Sequence, residues 1–186
     1  MSLHAKPVLR NIQDIQILNQ INNEAFPLEE RIPFDKLIEL ADHKHIDLLA
    51  FYDKERIIGF VVMVIEKPCA YIFFLAIDSN HRSKGYGSEA LQMLTTLYPE
   101  YQIVMDLEPI EVTAENNEQR LSRKKFYLRN GYYETGYRLK YVGISFEILC
   151  NKKMFNKESF ITLLDKIKPE LNKIKTEKFE PVLFKI

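Results

Sequence analysis

One stretch constrains this sequence more than any other. Over residues 70–77 apolar and aromatic side chains run almost unbroken, and then give way to Asp78-Ser79-Asn80-His81-Arg82-Ser83-Lys84-Gly85-Tyr86-Gly87-Ser88. A run that is apolar on both parities suits a central strand covered on both faces. The polar turn leads at once into a helical stripe, Ala90, Leu91, Leu94, Leu97 and Tyr98, so the whole is a strand–turn–helix unit. The start of such a helix presents amide N–H groups without intrahelical partners and a partial positive charge, which stabilise an anion. Glycines at 85 and 87 remove side chains that would hold a phosphate off those amides, and Arg82 and Lys84 add positive charge at the approach. Taken alone, R-x-x-G-x-G reads equally well as a tight turn using glycine for its backbone freedom. No G-x-x-x-x-G-K-[ST] string occurs, and a dinucleotide fingerprint lacks its third glycine because position 90 is Ala.

The flanking segments switch between the two hydrophobic periods. Pro7-Val8-Leu9-Arg10 reads as a first strand. Asp14 is the expected cap of a helix whose face is Ile15, Leu18, Ile21 and Ala25, and Pro27 stops it. A second short helix opens at Pro33-Phe34-Asp35. Strands over 48–52 and 57–66 enclose the polar hairpin turn Asp53-Lys54-Glu55-Arg56, and 101–107 is a further strand. A helix runs from Asn116 or Asn117 to Asn130, with Gly131 beyond it, and 132–142 and 144–150 form a hairpin about Gly143. The last helix, 157–175, carries Phe160, Leu163, Leu164, Ile167, Leu171 and Ile174 at helical spacing, and 181–186 forms a short strand or extended tail. This order predicts an α/β (α+β) fold, a mixed and mostly antiparallel central sheet flanked by helices, with an added C-terminal helix. The 186 residues suit a single domain with a core over 1–150 and an extension over 151–186. That extension either packs on the core or builds a homodimer interface, and an apolar stripe does not choose between them.

Composition narrows the function by exclusion. Lys plus Arg and Asp plus Glu number 26 each, and this zero balance supports neither a nucleic-acid nor a membrane-surface partner. Cys69 and Cys150 have no metal or redox spacing and read as packed thiols. His43-x-His45 lacks a third ligand, so no metal is expected. The N-terminus has no signal-peptide core and the longest apolar stretch, 57–65, is too short for a bilayer, so the expected location is cytoplasmic.

The string at 77–88 resembles the acyl-CoA loop of the GNAT superfamily of N-acetyltransferases, whose pattern Q/R-x-x-G-x-G/A is met at Arg82, Gly85 and Gly87. Phe126-Tyr127-Leu128-Arg129-Asn130-Gly131-Tyr132 is similar to the F-Y-x-x-x-G-F segment ending that family's fourth helix, and the element order follows the family fold from about Val8 to Leu149. The resemblance implies transfer of an acetyl group from acetyl-CoA, as co-substrate, to a primary amine of a small molecule or peptide by direct attack. It implies that backbone groups of Leu75, Ala76 and Ile77 pair with the pantetheine arm between splayed fourth and fifth strands. The amides of Arg82, Ser83, Lys84, Gly85, Tyr86, Gly87 and Ser88 would hold the pyrophosphate. Tyr127 stands where the family often has a tyrosine near the coenzyme sulfur, as general acid with an ordinary phenol pKa of about 10. The proton of the amine goes to a carboxylate or to water. Glu108 is the first candidate, followed by Glu111, Glu24, Glu29 and Glu30. Arg120 or Arg123 either meets the 3′-phosphate or belongs to a solvated face, and Asn116 or Asn117 either contacts pantetheine or caps its helix. The acidic set Glu24, Glu29, Glu30, Asp35 and Glu39 suits a cationic acceptor or is surface charge. Transfer of a longer acyl group, and an acyl-CoA-binding sensor without turnover, are the alternatives.

Overall fold

The computed structural model describes residues 3–8, 10–28, 30–174 and 177–186. Leu9 of the expected first strand, Glu29 among the candidate bases and Lys175 at the expected end of the last helix lie outside them. The elements are β1 (Leu3–Pro7), α1 (Ile12–Ala25), α2 (Phe34–Leu40), β2 (Ile46–Asp53), β3 (Arg56–Glu66), β4 (Cys69–Ile77), α3 (Tyr86–Leu97), β5 (Gln102–Leu107), α4 (Asn117–Arg129), β6 (Tyr133–Tyr141), β7 (Ile144–Cys150), α5 (Lys157–Ile174) and β8 (Val182–Lys185). This is the expected mixed α/β fold, with a mostly antiparallel eight-stranded sheet and five helices among the described residues. The chain divides into two compact units, Met1–Ile65 with Ile72–Pro99, and Glu66–Tyr71 with Glu100–Ile186.

In the first unit the strand order is β1-β2-β3-β4. β1 runs antiparallel to β2 with Leu3 opposite Asp53 and Pro7 opposite Leu49, so the first strand ends where the sequence pattern starts it. Pairing with β2 fixes its position: Pro7 has no N–H to donate, and past it the Val8 N–H still bonds Leu48 O at 3.1 Å. The cap of α1 is Asn11 rather than Asp14: Asn11 Oδ1 accepts the Asp14 N–H at 2.8 Å. Asp14 instead accepts the Tyr52 hydroxyl at 3.1 Å. β4 is buried through Ile72, but Phe73, Leu75 and Ile77 are only half-buried, so one face opens toward its C-terminal end. α3 buries Ala90, Leu91 and Leu94 as the stripe predicts, while Leu97 is 48% exposed.

In the second unit the order is β5-β7-β6-β8, antiparallel throughout. The extended tail is thus a strand, β8, paired with β6. The stripe of α5 is buried within the chain: Phe160, Leu163, Ile167 and Leu171 are inaccessible and Leu164 nearly so. Phe160 meets the Tyr71 ring edge-on at 5.4 Å. That face is therefore buried against residues of the same chain. Buried Gln102 ties β5 to the start of α5, accepting the Asn156 N–H at 2.9 Å and donating to Ser159 Oγ at 2.8 Å. Cys69 and Cys150 are free and buried beside it. Burial pushes the Cys69 thiol up to about 12, which removes it as a nucleophile.

Candidate active site

The first unit builds a tight, glycine-bearing turn between the exit of β4 and the start of α3. Asp78 ends the strand and caps a 3-10 turn, Ser79–His81, by accepting the Asn80 N–H at 3.0 Å and meeting His81 Nδ1 at 2.8 Å. The loop then closes on itself. Arg82 Nε donates to Ile77 O at 3.1 Å and Lys84 Nζ to Asn80 O at 2.8 Å. Ser83 and Gly85 both take left-handed backbone conformations, with φ of 60° and 90°. Gly85 is the N-cap of α3 and provides no side-chain cap, so the N–H groups of Tyr86, Gly87 and Ser88 have no intrahelical partner. Residues 82–85 are exposed. Uncapped amides, the helix dipole and two nearby cations are the donor set a diphosphate requires, so these residues fit the diphosphate of a coenzyme. Tyr86 contributes only its amide, because its side chain is buried and its hydroxyl donates to Asp53 Oδ2 at 2.5 Å.

Glu24 is drawn to the same loop, accepting the Ser79 hydroxyl at 2.8 Å. Hydrogen bonds from Gln20 and Ser79 hold its carboxyl below the usual carboxylate range, which weakens it as a proton acceptor.

The second unit places Tyr127 and Glu108. Tyr127 lies on α4 with 8% exposure, its ring edge-on to Phe126 at 5.0 Å and to Tyr132 at 5.9 Å. Burial pushes its pKa up to about 12, with Arg123 pulling the other way, so the ordinary phenol value expected from sequence does not hold. Glu108 follows β5 and is clamped from α4. Arg120 Nη2 meets Oε1 at 2.7 Å, Arg123 Nη1 meets Oε2 at 3.6 Å, and Asn116 Nδ2 donates to Oε2 at 3.3 Å. Arg120 also donates to Pro109 O at 3.0 Å and to Asn116 Oδ1 at 2.7 Å, and lies 3.8 Å from Glu111. Its fork is committed to the β5–α4 connection, whereas the Arg123 side chain is 48% exposed. The N-cap of α4 is Asn116, without a side-chain cap bond, and Asn117 accepts the Glu111 N–H at 2.9 Å. Sequence spacing could not show this clamp, since it joins side chains across a long loop.

Tyr132 replaces the phenylalanine of the F-Y-x-x-x-G-F pattern. Its hydroxyl is buried without a hydrogen-bond partner among the described residues, and burial raises its pKa well beyond the ordinary phenol value. An orphaned buried hydroxyl is destabilising, so Tyr132→Phe should raise stability by about 1 kcal/mol in urea denaturation. A loss of stability would mean that the hydroxyl has a partner in solution.

The His43 and His45 rings lie 5.3 Å apart and tilted by 38°, and His45 Nδ1 lies 2.9 Å from Ile65 O. Among the described residues no group of three His, Cys, Asp or Glu side chains could hold a metal, and no helix is long and apolar enough to cross a membrane.

A family model for the acetyltransferase (GNAT) family matches residues 15–132. No curated protein sequence matches the chain significantly. Among solved structures, a putative GNAT acetyltransferase from Bacteroides thetaiotaomicron aligns with a TM-score of 0.72 and 20% identity, over 92% of this chain and 99% of that one. An aminoglycoside 6′-N-acetyltransferase complexed with coenzyme A aligns with a TM-score of 0.62 and 13% identity, over 82% and 99%. The ribosomal-protein-S18-alanine N-acetyltransferase of Escherichia coli gives 0.58 and 12%, over 80% and 92%. At such identities these likenesses concern the fold.

Proposed function

The chain belongs to the acetyltransferase (GNAT) family, and from that premise we propose that it transfers the acetyl group of acetyl-CoA to a primary amine of a small molecule or peptide by direct attack. The uncapped amides that follow Gly85 carry this reading. They are donors placed for a diphosphate, with no side chain of the loop folded back to satisfy them. In the first unit these amides, with Arg82 and Lys84, hold the pyrophosphate, and the backbone of Leu75, Ala76 and Ile77 takes the pantetheine arm. In the second unit Tyr127 serves the departing sulfur.

The amine nitrogen attacks the thioester carbonyl carbon, the C–S bond breaks, and the amine loses the proton that balances the one the thiol gains. A phenol raised to about 12 stays protonated at working pH. It lies above an ordinary thiol, about 8.5, so full proton transfer to a thiolate is uphill. What Tyr127 supplies is a buried O–H donated to the developing sulfur charge, with solvent completing the protonation.

Glu108 is the proposed acceptor of the amine proton, through a water molecule. Its Oε1 is taken by Arg120 at 2.7 Å, while its contact to Arg123 through Oε2 is longer. Glu108→Gln should lower kcat/KM roughly 10²-fold if the carboxylate takes that proton. If Glu108 only clamps Arg120, kcat/KM stays within about threefold and the cost appears as a lowered denaturation midpoint.

The activity itself is tested by incubating the protein with acetyl-CoA and a panel of amines, polyamine, aminoglycoside and lysine peptide, while following free thiol. Turnover with any of them supports the reading. Tight coenzyme A binding without turnover would instead make the chain an acyl-CoA sensor.

A further inference from the structure

Gly59 lies in the middle of β3, where every residue from Ile57 to Val64 is buried. Its backbone is not left-handed, so conformational freedom does not explain it. Space does. A Cβ on Gly59 would stand 2.1 Å from the Ala76 carbonyl oxygen, and 3.1 Å from Ala76 C and Ile77 Cα. All three are backbone atoms and none can rotate away. The β2–β3 register slips at the same place: Phe51 faces Gly59 and Tyr52 faces Ile57, which leaves Ile58 as the extra residue of a bulge. The Ile58 carbonyl in turn accepts the Asp78 N–H at 2.8 Å, at the first residue after β4. The bulge and the missing side chain together seat the end of β4, and the start of the anion loop, directly against β3.

We propose that Gly59 is a positioning residue for coenzyme binding: it fixes the backbone of Ala76 and Ile77 where the pantetheine arm is held. The inference rests on the acetyl-CoA reading above. Ordinary contact begins near 3.4 Å, so a methyl group at 59 drives the two backbones apart by about an ångström, a displacement that costs bound geometry up to roughly 10²-fold. The diphosphate end, held by amides beyond Asp78, is affected far less.

Calorimetric titration of the wild type and of Gly59→Ala with coenzyme A and with adenosine 3′-phosphate 5′-diphosphate separates the two ends. The dissociation constant for coenzyme A should rise roughly 10- to 100-fold, and that for the nucleotide should change less than about twofold. Val62→Ala, a buried truncation further along β3, should leave coenzyme A binding unchanged. Unchanged coenzyme A affinity in Gly59→Ala overturns the inference. So does equal weakening of both ligands, or an equal loss in Val62→Ala. A wild type that binds no coenzyme A overturns the acetyltransferase reading itself, and the inference with it. Should Gly59→Ala fail to fold, the wild type decides: the Gly59 α-proton resonances should shift with coenzyme A and not with the nucleotide, and their failure to do so is equally fatal.

Discussion

Tyr127→Phe should lower kcat for thiol release roughly 10²- to 10⁴-fold at saturating acetyl-CoA, with little change in the KM for acetyl-CoA. The substitution removes one hydroxyl and keeps the ring, so the edge-on contacts to Phe126 and Tyr132 survive and the thermal midpoint should barely move. A loss confined to kcat marks an interaction made as the C–S bond breaks, because uniform binding would appear in KM. The pH profile gives a second handle. Burial raises the Tyr127 pKa to about 12, so the wild-type rate should show no fall near pH 10 from ionisation of this group. Its stability contribution follows the same sign. The folded state disfavours the ionised phenol, so this contribution is complete below the unfolded value of about 10 and is lost as pH rises toward 12. A kcat within about threefold of the wild type would leave Tyr127 a packing residue only.

Phe160→Ala should cost about 3–5 kcal/mol, the largest stability loss expected from a single truncation in α5. Phe160 is inaccessible and packs against Tyr71 and Phe155. Tyr71 in turn donates its hydroxyl to Asp106 at 2.8 Å, and Asp106 also accepts the Tyr141 hydroxyl at 2.9 Å. The cavity therefore opens beside a polar network as well as an apolar stripe, and both lose support. Spread over a chain of this length, the loss should lower the thermal midpoint by about 10 °C. A change under about 1 kcal/mol would show that α5 undocks without cost to the rest of its unit, as an appendage does.

Both expectations draw on features of different legibility. The loop at 82–88 was readable because its chemistry is local: glycine positions, flanking cations and the switch of hydrophobic period all lie within one strand–turn–helix unit. The α5 stripe was equally plain, since Phe160, Leu163, Leu164, Ile167 and Leu171 obey one period. What buries that stripe was not, because the partners come from elsewhere in the chain. The helix caps misled for a related reason. Asn11 and Asp14 are three residues apart and both can cap; only the hydrogen bond from the Asp14 N–H to Asn11 decides between them. Gly59 did leave a signal, an isolated glycine inside an apolar strand, which is where another backbone commonly approaches.

Sequence alone determined the element types, the glycine-bearing turn at the start of α3 and the family, because period, turn residues and short motifs act over a few residues. Tertiary structure alone decided the register of β1 against β2, the clamp of Arg120 and Arg123 on Glu108, the burial that raises Tyr127, and the seat of Ala76 against Gly59. Each of these depends on distances between residues far apart in the chain. Those distances follow from how strands pair and helices pack, and no local pattern of side chains encodes them.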